Sequence, residues 1–193
     1  QQARLLIGSH HITVQKDTAG SYLVSFDQER LKIDLGGIAK GYVADQVVDV
    51  LRKQGVRNAL VNMGGTIYGL GRAARNQPWT VGIKDPRDSN RIVHCIILEN
   101  CAVATSGDYE QFFIHEGKRY AHIIDPRSGY PAEGVVSVSV IAPTALEADA
   151  LSTALFVLGV EAGVAVVESL DGVDAVIGTY ENDVLTEYAS SGF

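Results

Sequence analysis

Helical periodicity is confined to three stretches of this 193-residue chain, and nearly everything between them reads as short strands. The first stretch runs from about Ile38 to Gln54, where Val43, Val47, Val50 and Leu51 fall on one face and Gly55 supplies a C-terminal cap. The second spans Thr144 to Leu158, with Leu146, Ala150, Ala154, Leu155 and Leu158 on its apolar side; a third covers roughly Gly159 to Leu170. Strand-like runs begin with ITVQ, SYLVSF and LKIDL. ALVNM, WTVGIK, RIVHCIILE and CAVATS then read as a mostly antiparallel meander. FFIHEG and KRYAHIID predict a hairpin through Glu116-Gly117. VVSVSVIA alternates strongly, and DAVIGTY and VLTEYA close the chain around Asn182-Asp183. Strand runs broken by a few helices predict an α+β fold, a mostly antiparallel sheet with a few packed helices, rather than a doubly wound parallel sheet. No solenoid-period repeat or interdomain linker interrupts it, so residues 1–193 are expected to form a single domain.

With 46% apolar and 20% charged residues, the chain can bury a substantial core. A net charge of −7 and no basic stripe interleaved with aromatics argue against nucleic acid as the main partner. An acidic protein that binds an anionic ligand must supply a metal or a few well-placed cations locally. No apolar run approaches a membrane span, and the first residues lack a charged-then-apolar leader pattern, as in a mature or trimmed product. Cys95 and Cys101 flank a Glu-Asn turn between two strand runs, a placement compatible with a cross-strand disulfide and equally with two buried thiols.

Five segments carry candidate chemistry. In the second helix, Asp149 and Thr153 are four residues apart and share one face. A carboxylate and a hydroxyl so placed offer hard oxygen ligands to a cation such as Mg²⁺; a solvated helix start accounts for the same residues when they are taken alone. In IDLGGIAKGYVADQ, a strand is expected to end at Asp34-Leu35 and Gly36-Gly37 to turn the chain into a helix near Lys40. Glycines admit close ligand approach and helix amides favour anions, although a plain strand-to-helix turn with a solvent lysine has the same shape. The spacing is not that of a Walker P-loop. VNMGGTIYGLG reads as a glycine-rich hairpin, because a strand follows where a dinucleotide fingerprint needs a helix. ATSGDY gathers Thr105, Ser106 and Asp108 on a turn, and YAHIIDPRSGYP places His122 within an apolar strand before a DPRSG turn.

Taken together, DLGGIAKGYVAD, LVNMGGTIYGLG, ATSGDYEQFF, HIIDPRSGYP and ADALSTALFVLG resemble, in this order, the FAD:protein FMN transferases, or ApbE-like proteins; the closing ASSGF resembles that family's terminal segment. The resemblance implies an α+β fold related to the tunnelling fold, Mg²⁺ dependence and FAD as donor substrate. It further implies transfer of FMN onto a threonine or serine hydroxyl of a partner flavoprotein, with release of AMP. By the same resemblance Asp149, Thr153 and the carbonyl of Gly37 hold the metal with help from Ser152, and Asp34, Lys40 and Ile123 contact FAD. Thr105 joins the flavin-binding set, His122 handles the proton, and Asp108 lines the flavin pocket as a second catalytic candidate.

Such enzymes are typically exported bacterial proteins, often lipoproteins, serving redox complexes at the membrane. The pattern here starts near the middle of the family's, so this chain corresponds to its larger C-terminal part. The family's amino-terminal portion, with a methionine-glycine-threonine segment and further FAD contacts, has no counterpart here. Thr66 also departs from it, since many relatives carry an acidic residue after the paired glycines. Two other functions use the same residues: FAD hydrolysis to FMN and AMP with water as acceptor, and a non-enzymatic flavin-binding or assembly module.

Overall fold

A computed structural model describes residues 7–182 and 184–193. The strands are β1 (Ile12–Lys16), β2 (Tyr22–Phe26), β3 (Ala59–Met63), β4 (Thr66–Leu70), β5 (Trp79–Lys84), β6 (Ile92–Leu98) and β7 (Cys101–Gly107). They continue as β8 (Phe112–His115), β9 (Lys118–Ala121), β10 (Ile124–Asp125), β11 (Tyr130–Pro131), β12 (Ser137–Ala142), β13 (Asp174–Glu181) and β14 (Val184–Ala189). The helices are α1 (Ala39–Lys53), α2 (Ala145–Leu158) and α3 (Val160–Val167). All three lie where the apolar spacing predicts them.

Six strands form the main sheet in the order β14-β13-β12-β7-β4-β3, with every adjacent pair antiparallel. Strand alternation sorts its side chains onto two faces. Tyr68, Leu70, Ala102, Ala104, Val138, Val140, Ala175 and Ile177 enter one cluster with Ala44 and Val48 of α1 and Ala148, Leu155 and Phe156 of α2. Their neighbours of opposite parity, Val103 and Val176, pack instead with Ile83, Ile96 and Leu98 of the β5–β6 hairpin. The sheet is thus covered by helices on one face and by a hairpin on the other.

Several expectations need correction. LKIDL forms no strand: residues 31–35 are irregular, and the carbonyl of Leu35 accepts the amides of Ile38 and Ala39 to open the turn into α1. RIVHCIILE and CAVATS are not paired neighbours, because β6 pairs only with β5 while β7 lies between β4 and β12. Cys95 and Cys101 consequently sit opposite Gly82 and Gly69, and both are free thiols, Cys95 exposed and Cys101 half-buried. His122 follows β9 instead of lying within it, and Thr105 and Ser106 lie inside β7, not on the turn after it. The FFIHEG–KRYAHIID hairpin forms as expected, with His115 opposite Lys118. Of the closing turn, Asp183 lies outside the described residues.

The start of α2 is bound from two sides. Thr144 caps it, accepting the amide of Glu147 at 3.2 Å and donating its hydroxyl to the Glu147 carboxylate at 2.7 Å. Asp45 of α1 reaches across and accepts the amides of Ala145 and Leu146, each at 2.9 Å. The first three amides of α2, unpaired in an isolated helix, are therefore satisfied within the protein. Asp45→Ala is expected to lower the unfolding free energy by about 1–2 kcal/mol. Asp49→Ala removes only an exposed pair with Arg52 and should cost under about 0.5 kcal/mol. Denaturant midpoints compare them, and equal losses would contradict the capping role.

Candidate functional site

The entry to α1, the β3–β4 turn, the end of β7 and the outer face of α2 enclose a cleft of about 840 Å³. Its walls include Asp34, Gly37, Lys40, Thr105, His122, Ile123, Asp149 and Thr153. Eight of the ten candidate residues thus share one cavity, although they come from four separate segments of the sequence.

Asp149 is the electrostatic centre of this wall. It is 3% exposed, and its Oδ2 accepts the backbone N–H of Gly41 at 2.9 Å. Oδ1 accepts the hydroxyl of Thr66 at 3.3 Å and lies 4.0 Å from Lys40 Nζ. A carboxylate at a helix start complements the partial positive charge there. In this fold the first turn of α1 therefore holds a protein anion, and Lys40, half-exposed above it, is the group left to reach a second anion. Thr66 is 1% exposed and orients Asp149 with an uncharged donor.

One turn further along α2, Thr153 Oγ1 contacts the Asp149 carbonyl at 3.4 Å and Ser106 Oγ at 3.2 Å. A Cβ placed on Gly37 would lie 3.5 Å from the same hydroxyl, so backbone and side chain meet here without a gap. Among the described residues, no group of three or more His, Cys, Asp or Glu side chains gathers for a metal. A cation at this wall would instead be held by one carboxylate, a hydroxyl and a carbonyl. That all-oxygen set suits Mg²⁺, which keeps several waters and shares phosphate oxygens.

His122 lies at the rim. Its Nδ1 is 3.1 Å from the carbonyl oxygen of Gln111, which can only accept, so that partner assigns the proton to Nδ1. Nε2 then carries the free lone pair. Asp34 uses Oδ1 to accept the amide of Gly36 at 2.7 Å, fixing the turn that presents Gly37.

Two candidates stand apart from the cleft wall. Ser152 is fully buried behind it, with Oγ 2.8 Å from Ser106 Oγ and donating to the Asp149 carbonyl at 2.9 Å. Asp108 lines a separate pocket of about 260 Å³ with Arg87, Arg119 and Tyr180. Both of its oxygens are taken by Arg87, at 2.6 and 2.7 Å, and Arg119 approaches at 3.4 Å. That pair raises the Arg87 pKa above its usual value, chiefly through the hydrogen bond to Asp108. Asp108 therefore ties down the end of β7 and does not face the cleft with a free oxygen. Thr105 lines the cleft, but its hydroxyl is engaged by Ser139 at 2.7 Å.

Tyr109 follows Asp108, and burial above all, then Glu110 and Asp108, pushes its hydroxyl up to about 12 from about 10. The unfolded chain thus loses this proton first, so the contribution to stability is complete below pH 10 and falls away as the pH rises towards 12. Tyr109→Phe should flatten the decline of the unfolding midpoint between those values. Parallel profiles for the two proteins would contradict it.

The fold and cleft define a class: an α+β protein with a buried carboxylate, hydroxyl oxygens and one lysine converging on a single cavity. The comparisons give the family. The profile described as "ApbE family" matches residues 1–177, and the chain belongs to that family. It is 40% identical over 186 residues to the FAD:protein FMN transferase of Klebsiella pneumoniae, covering 95% of this chain and 56% of that protein. To the FAD:protein FMN transferase of Treponema pallidum it is 41% identical over 176 residues, covering 86% and 49%. The flavin transferase ApbE from Vibrio cholerae superposes with a TM-score of 0.85 at 38% identity, over 100% of this chain and 60% of that one. The ApbE protein from Thermotoga maritima gives the same figures. The chain spans about half the length of the curated relatives it matches.

Proposed function

We propose that this chain is an ApbE-like domain carrying the cation and diphosphate site of a flavin transferase. The reaction moves FMN from FAD onto a threonine or serine hydroxyl of a partner flavoprotein. The acceptor oxygen bonds to the FMN phosphorus, the diphosphate P–O bond breaks, and AMP leaves. The observation that carries the proposal is the meeting of Asp149, Thr153, Gly37, Lys40, Asp34 and His122 around one cleft, in a chain whose relatives are named for this activity.

In this reading Asp149, Thr153 and the Gly37 carbonyl hold Mg²⁺, which when bound neutralises diphosphate charge. Lys40 adds a cation beside the phosphates, where negative charge develops during displacement. Asp34 and Ile123 line the FAD side of the cleft. Nε2 of His122, with its tautomer set by Gln111, takes the proton of the incoming hydroxyl. The groove beside His122, lined by Phe112, Phe113, Tyr120 and Tyr130, gives an acceptor segment an apolar approach. An exported bacterial protein serving membrane redox complexes is the setting that this reading implies. Among the described residues no helix is long and apolar enough to cross a membrane.

The test is incubation with FAD, Mg²⁺ and an acceptor flavoprotein, following AMP by chromatography and covalent flavin by in-gel fluorescence. Transfer predicts matched amounts of AMP and covalently bound flavin. AMP with only free FMN would indicate hydrolysis, and bound FAD without AMP would indicate a binding module.

A further inference from the structure

We infer that Ser106 is a positioning residue for the cation site: from β7 it fixes the hydroxyl of Thr153 so that its lone pairs face the cleft. The inference rests on the cation reading above and adds a residue outside the expected ligand set.

The placement follows from strand parity. Ala102 and Ala104 of β7 point into the core beneath the helices, and Ser106 continues that series. Thr105, of opposite parity, bonds instead to Ser139 on the neighbouring strand β12. Ser106 is therefore the polar end of an otherwise apolar row, and it ends under α2 between Ser152 and Thr153.

An inventory of protons gives the role. The Asp149 carbonyl can only accept, and Ser152 Oγ donates its single proton to it at 2.9 Å. At the 2.8 Å contact between Ser106 and Ser152, Ser106 must then be the donor. The Ser106 oxygen is left to accept from Thr153 at 3.2 Å, a shorter contact than the 3.4 Å from Thr153 to the Asp149 carbonyl. Either acceptor turns the Thr153 proton into the protein. Without Ser106 only the longer contact remains, and the hydroxyl can rotate its proton towards the cleft, where it opposes a cation. Partners of metal ligands typically change affinity by about 10–100-fold when removed.

Mn²⁺ serves as the probe, titrated into the 193-residue chain and read by water-proton relaxation. Ser106→Ala is expected to weaken Mn²⁺ binding about tenfold, and Ser106→Thr, which keeps the hydroxyl, to stay within about threefold of the unaltered chain. Both variants should unfold at nearly the same denaturant concentration as the parent. Unchanged affinity in Ser106→Ala, or equal weakening in both variants, would overturn the inference. Asp149→Asn separates the two levels. If the parent binds Mn²⁺ and this variant does not, the cation reading stands whatever Ser106 does. If the parent binds none, or Asp149→Asn binds as well as the parent, that reading fails and the role of Ser106 with it.

Discussion

Asp149→Asn is expected to reduce divalent-cation affinity at least 100-fold and to bring flavin transfer to background. Removing a group that merely supports a ligand costs about 10–100-fold, so loss of the one charged member of the proposed ligand set should exceed that range. The substitution nearly preserves shape, and the amide oxygen of asparagine can still accept from Gly41 N–H, which now bonds Asp149 at 2.9 Å. The fold should therefore survive, with a change in unfolding free energy of under about 2 kcal/mol. Calorimetric Mg²⁺ titration and thermal unfolding on the same sample separate the effects. A folded variant that binds Mg²⁺ like the parent would remove Asp149 from the cation site.

Gly41→Ala should damage stability most. A Cβ at this position would overlap the carbonyl of Ala145, with that residue's carbonyl carbon and Leu146 Cα only 2.7 Å away. The obstacle is backbone of α2, not a side chain that can swing aside, so the two helices must separate. Overpacking of this kind costs about 3 kcal/mol. The same shift pulls Gly41 N–H from Asp149, so cation binding should weaken together with stability. Gly55→Ala makes a useful contrast: no atom lies within 4 Å of its added Cβ, and its cost comes only from a left-handed backbone angle of +79°. A Gly41→Ala protein with a parental unfolding midpoint would contradict the close packing of α1 on α2.

Helices were the most legible part of this chain in its sequence. Apolar spacing placed α1, although its buried stripe is Gly41, Ala44 and Val48 while Val43 and Val50 are exposed, and Thr144 announces the start of α2, because cap and periodicity are both local properties. Strand partners were less legible. Alternation in RIVHCIILE shows that one face is buried without saying against which strand. In the fold, β5 and β6 leave the main sheet to cover its second face, where Leu98 is wholly buried. LKIDL alternates like a strand, yet Ile33 and Leu35 are exposed and its backbone serves the turn into α1.

The candidate site shows the same division. Asp149 and Thr153 could be paired from helical spacing, and the glycine-rich bend from composition. Asp108 misled because its controlling partner, Arg87, lies 21 positions away and carries no local signal. Ser106 was legible in principle: once CAVATSG is read as a strand, its parity with Ala102 and Ala104 sends the serine towards the helices. Thr66 and the Gly41 amide could not be read in that way, since their contacts with Asp149 span 83 and 108 positions.

The most direct measurement is anomalous diffraction from crystals of this chain grown with Mn²⁺ and pyrophosphate. The expected peak lies between the Asp149 carboxylate, the Thr153 hydroxyl and the Gly37 carbonyl, with pyrophosphate oxygens completing the shell beside Lys40. A peak elsewhere, with those three oxygens left to water, would contradict a cation-assisted diphosphate site in this cleft.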